Sequence, residues 1–438
     1  MHFTLIALMI NTAYYRGKKV AVVGLARSGL ACANLLYDLG SRVWVTDNKD
    51  DDLIRLNALK LKSKEINLEL GSHSQEFIRE KDLVVVSPGV PSDASPLIWA
   101  KEFRIPTISE VEFAWDLCPG KVIAVTGSNG KTTVTTLIAK LLEAAGKDNV
   151  FVCGNIGNPF SGEVEKIKEN DLVSLEVSSF QLERIKKFKP QISVILNFSC
   201  NHLDRYKNID EYLGVKKRIF MNQDKTDYLV LNYDDPVLRD LSKETDAQVV
   251  YFSERKNLNP NQAALLCIGL ILGVDEKLAQ GVFREFKGIE HRLEYVTQIN
   301  NISFINDSKS TTIESAIWAL KNIDSPIVLI AGGKHKGVNY SLILDLARQK
   351  VREAILIGEA GEMIESAFKG FISIDRAITL EEAVQKAYLK AKPQDCVLLS
   401  PMCSSFDMFS DYEERGRVFK RAVYDLAKSK VIESSEKV

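Results

Sequence analysis

Apolar runs rich in β-branched residues alternate with amphipathic helical patterns along almost the whole chain. The runs are KVAVVG (19–24), RVWVTD (42–47), LVVVSPG (83–89), KVIAVTG (121–127), DLVSLEV (171–177), ISVILN (192–197), YLVLN (228–232), ISFINDS (302–308), PIVLIAGG (326–333), EAILIG (353–358) and CVLLSP (396–401). Continuous apolar runs of this length, separated by helical patterns, indicate buried parallel strands joined by helices. The predicted fold class is therefore α/β, with mostly parallel sheets flanked by helices. Ligands are expected at the carboxyl ends of the strands.

The length of the chain requires more than one hydrophobic core. Its 438 residues exceed the size at which single cores stop growing. We predict three α/β domains, over residues 1–109, 110–288 and 289–438. Residues 1–10, MHFTLIALMI, are too few to span a bilayer and lack a basic region ahead of the apolar run. Neither membrane insertion nor secretion is therefore expected, and ordered structure is predicted to begin near residue 17.

Composition excludes several classes of partner and site. The 57 basic and 58 acidic residues leave a net charge of −1, so nucleic acid is not an expected partner. The seven cysteines include no C-x-x-C pair, and only five histidines are present, so a structural zinc site is not expected. Free thiols in a cytoplasmic protein are the prediction.

The segment VTGSNGKTT (125–133) predicts a phosphate-binding loop. The common pattern G-x-x-x-x-G-K-[ST] would place glycine at 125, where Val125 stands, and the glycine is found at 127 instead. The loop nevertheless follows a predicted strand and precedes an amphipathic helix, TTVTTLIAKLLEAAG. Backbone N–H groups of residues 127–132 are expected to cradle an anion at the helix N-terminus. Lys131 would contact the terminal phosphates, and the Thr132 hydroxyl would bind Mg²⁺.

A second glycine-containing turn, VVGLARSGLA, follows the first predicted strand. Gly24 and Gly29 match the first and third glycines of a dinucleotide-binding fingerprint, but Ala26 replaces the second one, which weakens an NAD interpretation. Asp47, after the next strand, stands where an acid could contact a ribose. Two interpretations remain open from the motif alone: a nucleotide-binding turn, and a turn that only connects strand to helix.

Polar residues also interrupt or follow the strands of the central block. Glu176 lies inside the apolar run LEVSSFQLE, and a buried carboxylate is costly unless it is paired or binds a metal, so it is a candidate Mg²⁺ ligand. His202, in NFSCNHLDRY, is a second candidate, although a lone histidine is more often structural. The segment GNIGNPF (154–160) has the composition of a ligand-facing loop.

Seven stretches together resemble the Mur ligase superfamily, and the resemblance extends from about residue 17 to about residue 425. These stretches are TGSNGKTT, GNIG, LEVSSFQLE, NHLDRY, EHRLE, INDSKSTT and LSPMCSSFDMFSDYEERG. The last resembles the signature of the branch that adds D-glutamate. The resemblance implies a Rossmann-like N-terminal domain, a P-loop ATPase-like central domain and a Rossmann-like C-terminal domain.

The implied activity is an ATP-dependent, carbon–nitrogen bond-forming ligation of peptidoglycan biosynthesis. D-glutamate would be added to UDP-N-acetylmuramoyl-L-alanine through an acyl phosphate. The resemblance also implies a monomeric cytoplasmic enzyme whose partners are these two small-molecule substrates. Its implied cofactors are ATP and two Mg²⁺ ions.

The resemblance assigns site residues to each ligand. The UDP-substrate set is Arg27, Ser28, Gly29, Asp47, Asn48, Ser87, Pro88, Gly89, Asn155, Ser178 and Gln181. The ATP set is Gly127, Ser128, Asn129, Gly130, Lys131, Thr132, Thr133, Arg292 and Asp307, between the central and C-terminal domains. The implied Mg²⁺ ligands are Thr132, Glu176, His202 and a carbamylated Lys216.

The amino-acid set is Thr311, Lys336, Ser405 and Tyr412, and the implied catalytic residues are Lys131, Glu176, His202, Lys216 and Lys309. Lys217, adjacent to Lys216, leaves the register of the carbamylated lysine open, and the alternative is that both lysines are solvated on a helix face. After VVYFSERKNLNP the chain passes into the predicted helix NQAALLCIGLILG, whereas the family usually has further strands there. A trimmed central domain is therefore expected, with Asn261 as a remnant of a segment near the ATP base.

Three alternatives remain at this stage. A folylpolyglutamate synthase-like enzyme or another Mur-type ligase would share the chemistry. A non-catalytic nucleotide-binding relative would fit a trimmed central domain. An NAD-dependent oxidoreductase would need the glycine that Ala26 replaces.

Overall fold

The structure, a computed structural model, describes residues 11–199, 205–254, 258–286, 288–335 and 337–435. It divides into two compact units, Met1–Phe286 and Lys287–Val438. The first unit holds two sheets and the second holds one, which makes three α/β domains. The predicted boundary at 109/110 falls between the last strand of the first sheet and the helix that follows it, and the boundary at 288/289 falls just past the end of the first unit. These boundaries stay predictions.

The first sheet has five parallel strands in the order β3-β2-β1-β4-β5, with helices on both faces. Its strands are β1 (Lys19–Val23), β2 (Arg42–Asp47), β3 (Asn67–Leu70), β4 (Leu83–Val86) and β5 (Thr107–Ser109). Its helices are α1 (Arg27–Asp38), α2 (Asp52–Ala58), α3 (Gln75–Ile78) and α4 (Ser95–Glu102). Separate apolar clusters cover the two faces, so the strands are buried on both sides, as their continuous apolar runs require.

The central sheet has six parallel strands in the order β11-β10-β9-β6-β8-β7. Its strands are β6 (Lys121–Thr126), β7 (Val150–Gly154), β8 (Leu172–Glu176), β9 (Ile192–Ile195), β10 (Tyr228–Asn232) and β11 (Gln248–Phe252). Its helices are α5 (Glu110–Asp116), α6 (Lys131–Ala144), α7 (Phe160–Glu163), α8 (Ser179–Leu182), α9 (Ile209–Lys217), α10 (Pro236–Asp240), α11 (Pro260–Ile271) and α12 (Glu276–Glu285), with 3-10 turns at Val164–Lys166, Arg218–Phe220 and Leu241–Glu244. The described residues between β11 and α11 contain no further strand, as the sequence predicted.

The sheet of the second unit has the order β12-β13-β17-β14-β15-β16. Its strands are β12 (Glu294–Ile299), β13 (Ile302–Asn306), β14 (Ile327–Gly332), β15 (Val351–Ile357), β16 (Ser373–Arg376) and β17 (Cys396–Leu399). Its helices are α13 (Ile313–Lys321), α14 (Leu344–Lys350), α15 (Gly361–Phe368), α16 (Leu380–Lys390) and α17 (Tyr412–Ser435), with a 3-10 turn at Tyr340–Ile343. Among the described strands of this sheet, only the edge strand β12 runs antiparallel to its neighbour. The predicted α/β class with mostly parallel sheets is therefore confirmed.

Ordered structure begins earlier than predicted. Residues 11–15 are helical, and the buried Tyr15 donates a hydrogen bond from its hydroxyl to Asp116 Oδ2 at 3.0 Å. The expected start near residue 17 is wrong, because this contact fixes the preceding turn to α5. Residues 1–10 lie outside the described part of the chain. Among the described residues, no helix combines the length and apolarity needed to cross a membrane, and all six described cysteines are free thiols.

Candidate active site

The predicted phosphate loop joins the carboxyl end of β6 to the first turn of α6. Gly130, the residue before the helix, has φ 81°, a left-handed conformation that glycine adopts without strain. A Cβ atom there would lie 2.6 Å from Asn261 Oδ1, which places Asn261 directly against the loop. The segment after β9 holds the loop from the other side, since Asn129 N donates to Asn197 Oδ1 at 2.8 Å and Ser199 N donates to Ser128 Oγ at 2.9 Å. The loop is therefore in contact with α11 on one side and with the segment after β9 on the other.

Two lysine side chains converge on one carbonyl of this loop. Lys131 Nζ donates to Gly127 O at 2.9 Å, and Lys216 Nζ donates to the same oxygen at 3.0 Å. Lys216 lies on α9 with only 1% of its surface exposed, and burial together with the charge of Lys131 lowers its pKa. Lys217 instead points to the surface and pairs with Glu244 Oε2 at 2.6 Å. The alternative, that both lysines are solvated, is wrong for Lys216, because α9 packs that side chain against the loop.

Glu176 ends the buried strand β8, beside β6. Its side chain is 2% exposed, and Asn155 Nδ2 donates to one carboxylate oxygen, Oε1, at 2.7 Å. The other oxygen, Oε2, is buried and has no hydrogen-bond partner among the described residues. A buried, half-satisfied carboxylate is costly. The Oε2 atom is thus suited to bind a cation next to the phosphate loop.

The other residues of the phosphate loop differ in how far they are exposed. Thr132 is buried in the first turn of α6, and Thr133 and Ser128 are half-buried, while Asn129 is exposed. A hydroxyl at the first helical turn, an orphaned carboxylate oxygen and a lysine beside backbone N–H groups together fit a Mg²⁺–nucleotide phosphate group. His202, a predicted metal ligand, lies outside the described residues.

The glycine turn after β1 is held by Asp47. This carboxylate accepts from Leu25 N at 2.7 Å through Oδ2, which fixes the turn, and from Lys49 N at 2.9 Å through Oδ1. Ser87 Oγ donates to Gly24 O at 3.0 Å, which joins the end of β4 to the turn. Of the other predicted UDP-substrate residues here, Arg27, Asn48 and Gly89 are exposed and Ser28 and Pro88 are half-buried, while Gly29 is buried.

Ser178 and Gln181 form the N-terminal capping box of the short helix α8. Ser178 N and Oγ both donate to Gln181 Oε1 at 3.0 Å, and Gln181 N lies 3.4 Å from Ser178 Oγ. Their primary role in the structure is therefore to begin this helix. Asn155 is exposed at the end of β7 and contacts Glu176, so the predicted substrate-facing and metal-facing residues of the central domain are neighbours.

In the second unit, Asp307 lies just past the end of β13 and is buried. Its two oxygens accept from Leu293 N at 3.2 Å and from Ser400 Oγ at 2.9 Å. Burial raises the pKa of Asp307 to about 6, partly offset by these hydrogen bonds and by the charge of Arg292. His291 and Leu293, on either side of Arg292, have φ of 65° and 41°, a strained conformation for residues other than glycine. Arg292 is thus held close to Asp307 by a bent segment.

The described residues of the predicted amino-acid set lie near α17 and the loop after β17, together with Lys309. The ammonium of Lys309 lies 5.7 Å from the centre of the Tyr412 ring, and Lys309 N donates to His291 O at 2.9 Å. Thr311 is half-buried two residues further on, and Ser405 is buried in the loop after β17. Lys334 N donates to Ser404 O at 2.9 Å, which ties the loop carrying the predicted Lys336 to the loop carrying Ser405. Lys336 itself lies outside the described residues.

Several structurally central residues were not singled out from the sequence. Asn197 braces the phosphate loop but belongs to no phosphate-loop pattern. Arg415 is fully buried and donates to Ser308 Oγ at 3.0 Å and to Cys403 O at 3.2 Å, which links two loops of the amino-acid cluster. Its position three residues after Tyr412, in the C-terminal signature, was the available signal.

A parallel sheet with a glycine–lysine–threonine loop between its central strand and the following helix defines a P-loop nucleotide-binding protein of three α/β domains. Family models match all three parts: a Mur ligase MurD-like N-terminal domain over residues 18–109, a Mur ligase middle domain over 125–266 and a Mur ligase glutamate ligase domain over 291–403. The chain belongs to the Mur ligase family.

Curated relatives match nearly the whole chain. A UDP-N-acetylmuramoylalanine--D-glutamate ligase of Geotalea daltonii is 41% identical over 446 residues, covering 94% of this chain and 98% of the relative. The protein of the same name from Thermoanaerobacter pseudethanolicus is 40% identical over 451 residues, covering 94% and 99%. Among solved structures, UDP-N-acetylmuramate-alanine ligase MurC of Thermotoga maritima gives a TM-score of 0.59 at 19% identity, covering 93% of this chain and 99% of that chain. The last similarity concerns the fold alone.

Proposed function

We propose that this chain is an ATP-dependent ligase that adds D-glutamate to UDP-N-acetylmuramoyl-L-alanine in peptidoglycan synthesis, acting as a cytoplasmic monomer. The observation that carries the proposal is the near-full-length similarity to ligases of this name, 41% identical over 94% of the chain. The convergence of Lys131 and Lys216 beside a half-satisfied Glu176 supports it, because phosphoryl transfer needs such a site.

The proposed reaction has two steps. An oxygen of the alanyl carboxylate attacks the terminal phosphorus of ATP, so that the bond to ADP breaks and an acyl phosphate forms. The D-glutamate amine then attacks the acyl carbon, loses a proton, and phosphate leaves as the amide bond forms. Most of the acceleration comes from positioning and charge neutralisation, because the protein supplies no covalent intermediate of its own.

The residues around the phosphate loop have separable roles in this proposal. Lys131 and the loop N–H groups hold the terminal phosphates, and Thr132 and Glu176 hold Mg²⁺, with His202 as a further ligand. When bound, two Mg²⁺ ions would neutralise the phosphate charges. Asn155 keeps the Glu176 carboxylate in place through its 2.7 Å hydrogen bond. Arg292 and Asp307 are assigned to ATP on the family resemblance.

We further propose that Lys216 is carbamylated. A buried ammonium beside Lys131 is unfavourable, and burial lowers the pKa of Lys216, which leaves the neutral amine that reacts with CO₂. The carbamate carries a negative charge that would pair with Lys131 and help hold Mg²⁺. NMR after equilibration with isotope-labelled bicarbonate is expected to give one carbamate signal, absent from Lys216→Met. An unchanged spectrum in Lys216→Met would assign the signal elsewhere.

The substrates are assigned to the carboxyl ends of the other strands. The Gly24–Gly29 turn, with Asp47, Asn48 and residues 87–89, binds the UDP group, and Ser178 and Gln181 face the rest of that substrate. Thr311, Lys336, Ser405 and Tyr412 bind D-glutamate, because two carboxylates on the incoming amino acid require cationic and hydroxyl partners. Lys309 is the catalytic lysine that faces the substrate.

Phosphate release from Mg·ATP tests the proposal, with UDP-N-acetylmuramoyl-L-alanine present and D-glutamate present or omitted. Release that requires both substrates is the expected result. Release with a different amino acid or acceptor would indicate another Mur-type ligase or a folylpolyglutamate synthase-like enzyme. If folded protein still binds the UDP substrate but releases no phosphate, the non-catalytic alternative is favoured. The short connection between β11 and α11 would then be the expected cause of the lost activity.

A further inference from the structure

A cavity of about 670 Å³ lies in the first unit, along α4 and against the segment that follows α8. Leu97, Ile98 and Ile105 form part of its apolar wall. None of the residues assigned above to ATP, the UDP substrate or the amino acid lines it. Its volume falls in the range of small-molecule sites, about 300–1,000 Å³, rather than that of a macromolecular interface.

The charged side chains that line this cavity are all cationic: Lys101, Arg104, Arg184 and Lys186. No carboxylate is in the lining, and in the described part of the chain none of the four forms an ion pair. The acid next to Arg184, Glu183, forms an ion pair with Arg205 instead. Its two oxygens accept from Arg205 Nε and Nη2, each at 2.9 Å. In a chain with 57 basic and 58 acidic residues, this is a local excess of positive charge.

Arg184 is the least solvated of the four cations. It is half-buried, burial lowers its pKa, and the hydrogen bond that the structure gives its guanidinium runs from Nη2 to Ser92 O at 3.4 Å. A half-buried guanidinium that lines a cavity is suited to bind an anion, because its planar fork matches phosphate and carboxylate oxygens.

The backbone conformation of Arg104 is a second, independent observation that indicates a functional site at this cavity. Arg104 has φ 56° and lies two residues after the end of α4, where its N–H donates to Lys101 O at 3.1 Å and Ile105 N donates to Ala100 O at 2.8 Å. This pair of hydrogen bonds defines a Schellman turn, whose left-handed position is usually glycine. The chain carries an arginine where glycine would be less strained, and strained residues concentrate at functional sites.

We propose that this basic cavity, formed by Lys101, Arg104, Arg184 and Lys186 over an apolar wall, binds a small organic phosphate with more than one negative charge. The two guanidinium groups and two ammonium groups hold the phosphate. Ile98, which is 47% exposed, and its apolar neighbours cover the body of the ligand. This site is separate from the proposed ligase reaction and does not depend on it.

Isothermal titration of the full chain with tripolyphosphate and with naphthyl phosphate tests the site. Mg²⁺ with a non-hydrolysable ATP analogue, together with UDP, is kept saturating so that the phosphate loop and the Gly24 turn are occupied. One saturable site is expected for each probe. Affinity should fall at least about tenfold in Lys101→Ser/Arg104→Gly/Lys186→Ser, because three charge-assisted contacts are lost.

The matched control, Lys60→Ser/Lys64→Ser/Lys369→Ser, removes the same charge from exposed lysines elsewhere, and a change below about twofold is expected, since distant exposed charges are screened. Equal affinity in the two triple variants, or no saturable binding to the wild type, overturns the proposal. Arg104→Gly alone keeps the fold, since glycine suits the turn, and should still weaken both probes. Ile98→Ser should weaken naphthyl phosphate but not tripolyphosphate, and an equal effect on both would remove the apolar part of the proposal.

Discussion

At the scale of single residues, the shared acceptor of Lys131 and Lys216 is the most informative feature of the site. Two ammonium groups within hydrogen-bond distance of Gly127 O repel each other, and burial strengthens that repulsion. A phosphate group bound at the loop, or a carbamate on Lys216, would remove it. The two ammonium groups thus favour the binding of an anion at the loop.

Lys131→Ala tests this arrangement. We expect turnover to fall at least about 100-fold, because a cation that stabilises transferred phosphate charge is lost. Stability should change little, since the Lys131 ammonium donates to two backbone carbonyls of its own loop and lies close to the second ammonium, that of Lys216. Phosphate release and urea unfolding measure the two effects. Lys140→Ala, on the exposed face of the same helix, should retain full activity, and near-full activity in Lys131→Ala would contradict the loop assignment.

Asp307 predicts a pH dependence of stability. Its pKa rises from 3.8 to about 6 on folding, so between these values the folded chain binds a proton that the unfolded chain has released. Stability is therefore lost as pH rises through this window, by at most about 3 kcal/mol for a shift of about two units. Urea unfolding across this window should show a smaller loss in Asp307→Asn than in the wild type. An equal loss of stability in the two proteins would mean that a group other than Asp307 binds the proton.

At the scale of elements, the start of α1 depends on the close approach of Gly29 to the preceding turn. A Cβ atom at Gly29 would lie 1.7 Å from Gly24 O, and that oxygen belongs to backbone fixed between β1 and β4. Helix α1 can pack on its sheet at this distance only with glycine there.

Gly29→Ala should therefore lower the free energy of unfolding by about 1–3 kcal/mol, the usual cost of overpacking, and weaken UDP binding. Gly214→Ala is the control, because Gly214 lies inside α9 with open space around it, and it should raise stability by about 0.5–1 kcal/mol. Denaturant titration measures both. A neutral Gly29→Ala would mean that the turn can move away from α1.

The sequence predicted the interior strands of the sheets but not the edge strands. Every interior strand of the three sheets coincides with a predicted apolar run, whereas the six strands that no run singled out, β3, β5, β7, β11, β12 and β16, are the six edge strands. Interior strands are buried on both faces and read as continuous apolar segments. Edge strands such as NLEL and SIDR have exposed positions, so their sequences carry a weaker signal.

Residues of the candidate site could be predicted only where neighbouring residues in the sequence indicate their role. The loop at 127–133 and the buried Glu176 follow from strand, glycine and charge positions along the chain. The burial of Lys216 and the bracing by Asn197 depend on helix and strand packing across distant parts of the chain, which no local pattern encodes. For the same reason, the hydrogen bond that Leu25 N donates to Asp47 could not be predicted.

At the scale of the whole molecule, the second unit has a complete core of its own. Apolar clusters cover both faces of its sheet with residues from that unit alone. A fragment of residues 289–438 is therefore expected to fold by itself, with a cooperative urea transition followed by circular dichroism. A fragment of residues 11–286 is the matched comparison. Lack of cooperative unfolding in the shorter fragment would show that it requires the rest of the chain.

The position of β6 at the centre of its sheet also has a consequence during translation. Both of its neighbours, β8 and β9, are made after it, and Asn197, which braces Asn129, follows 68 residues later. At ribosomal rates of about 5–20 residues per second, this interval lasts about 3–14 s. Until β8 is made, the nascent chain exposes an apolar strand with two unpaired edges, and one edge stays unpaired until β9 is made. A pause in synthesis within this window would therefore favour capture by a chaperone.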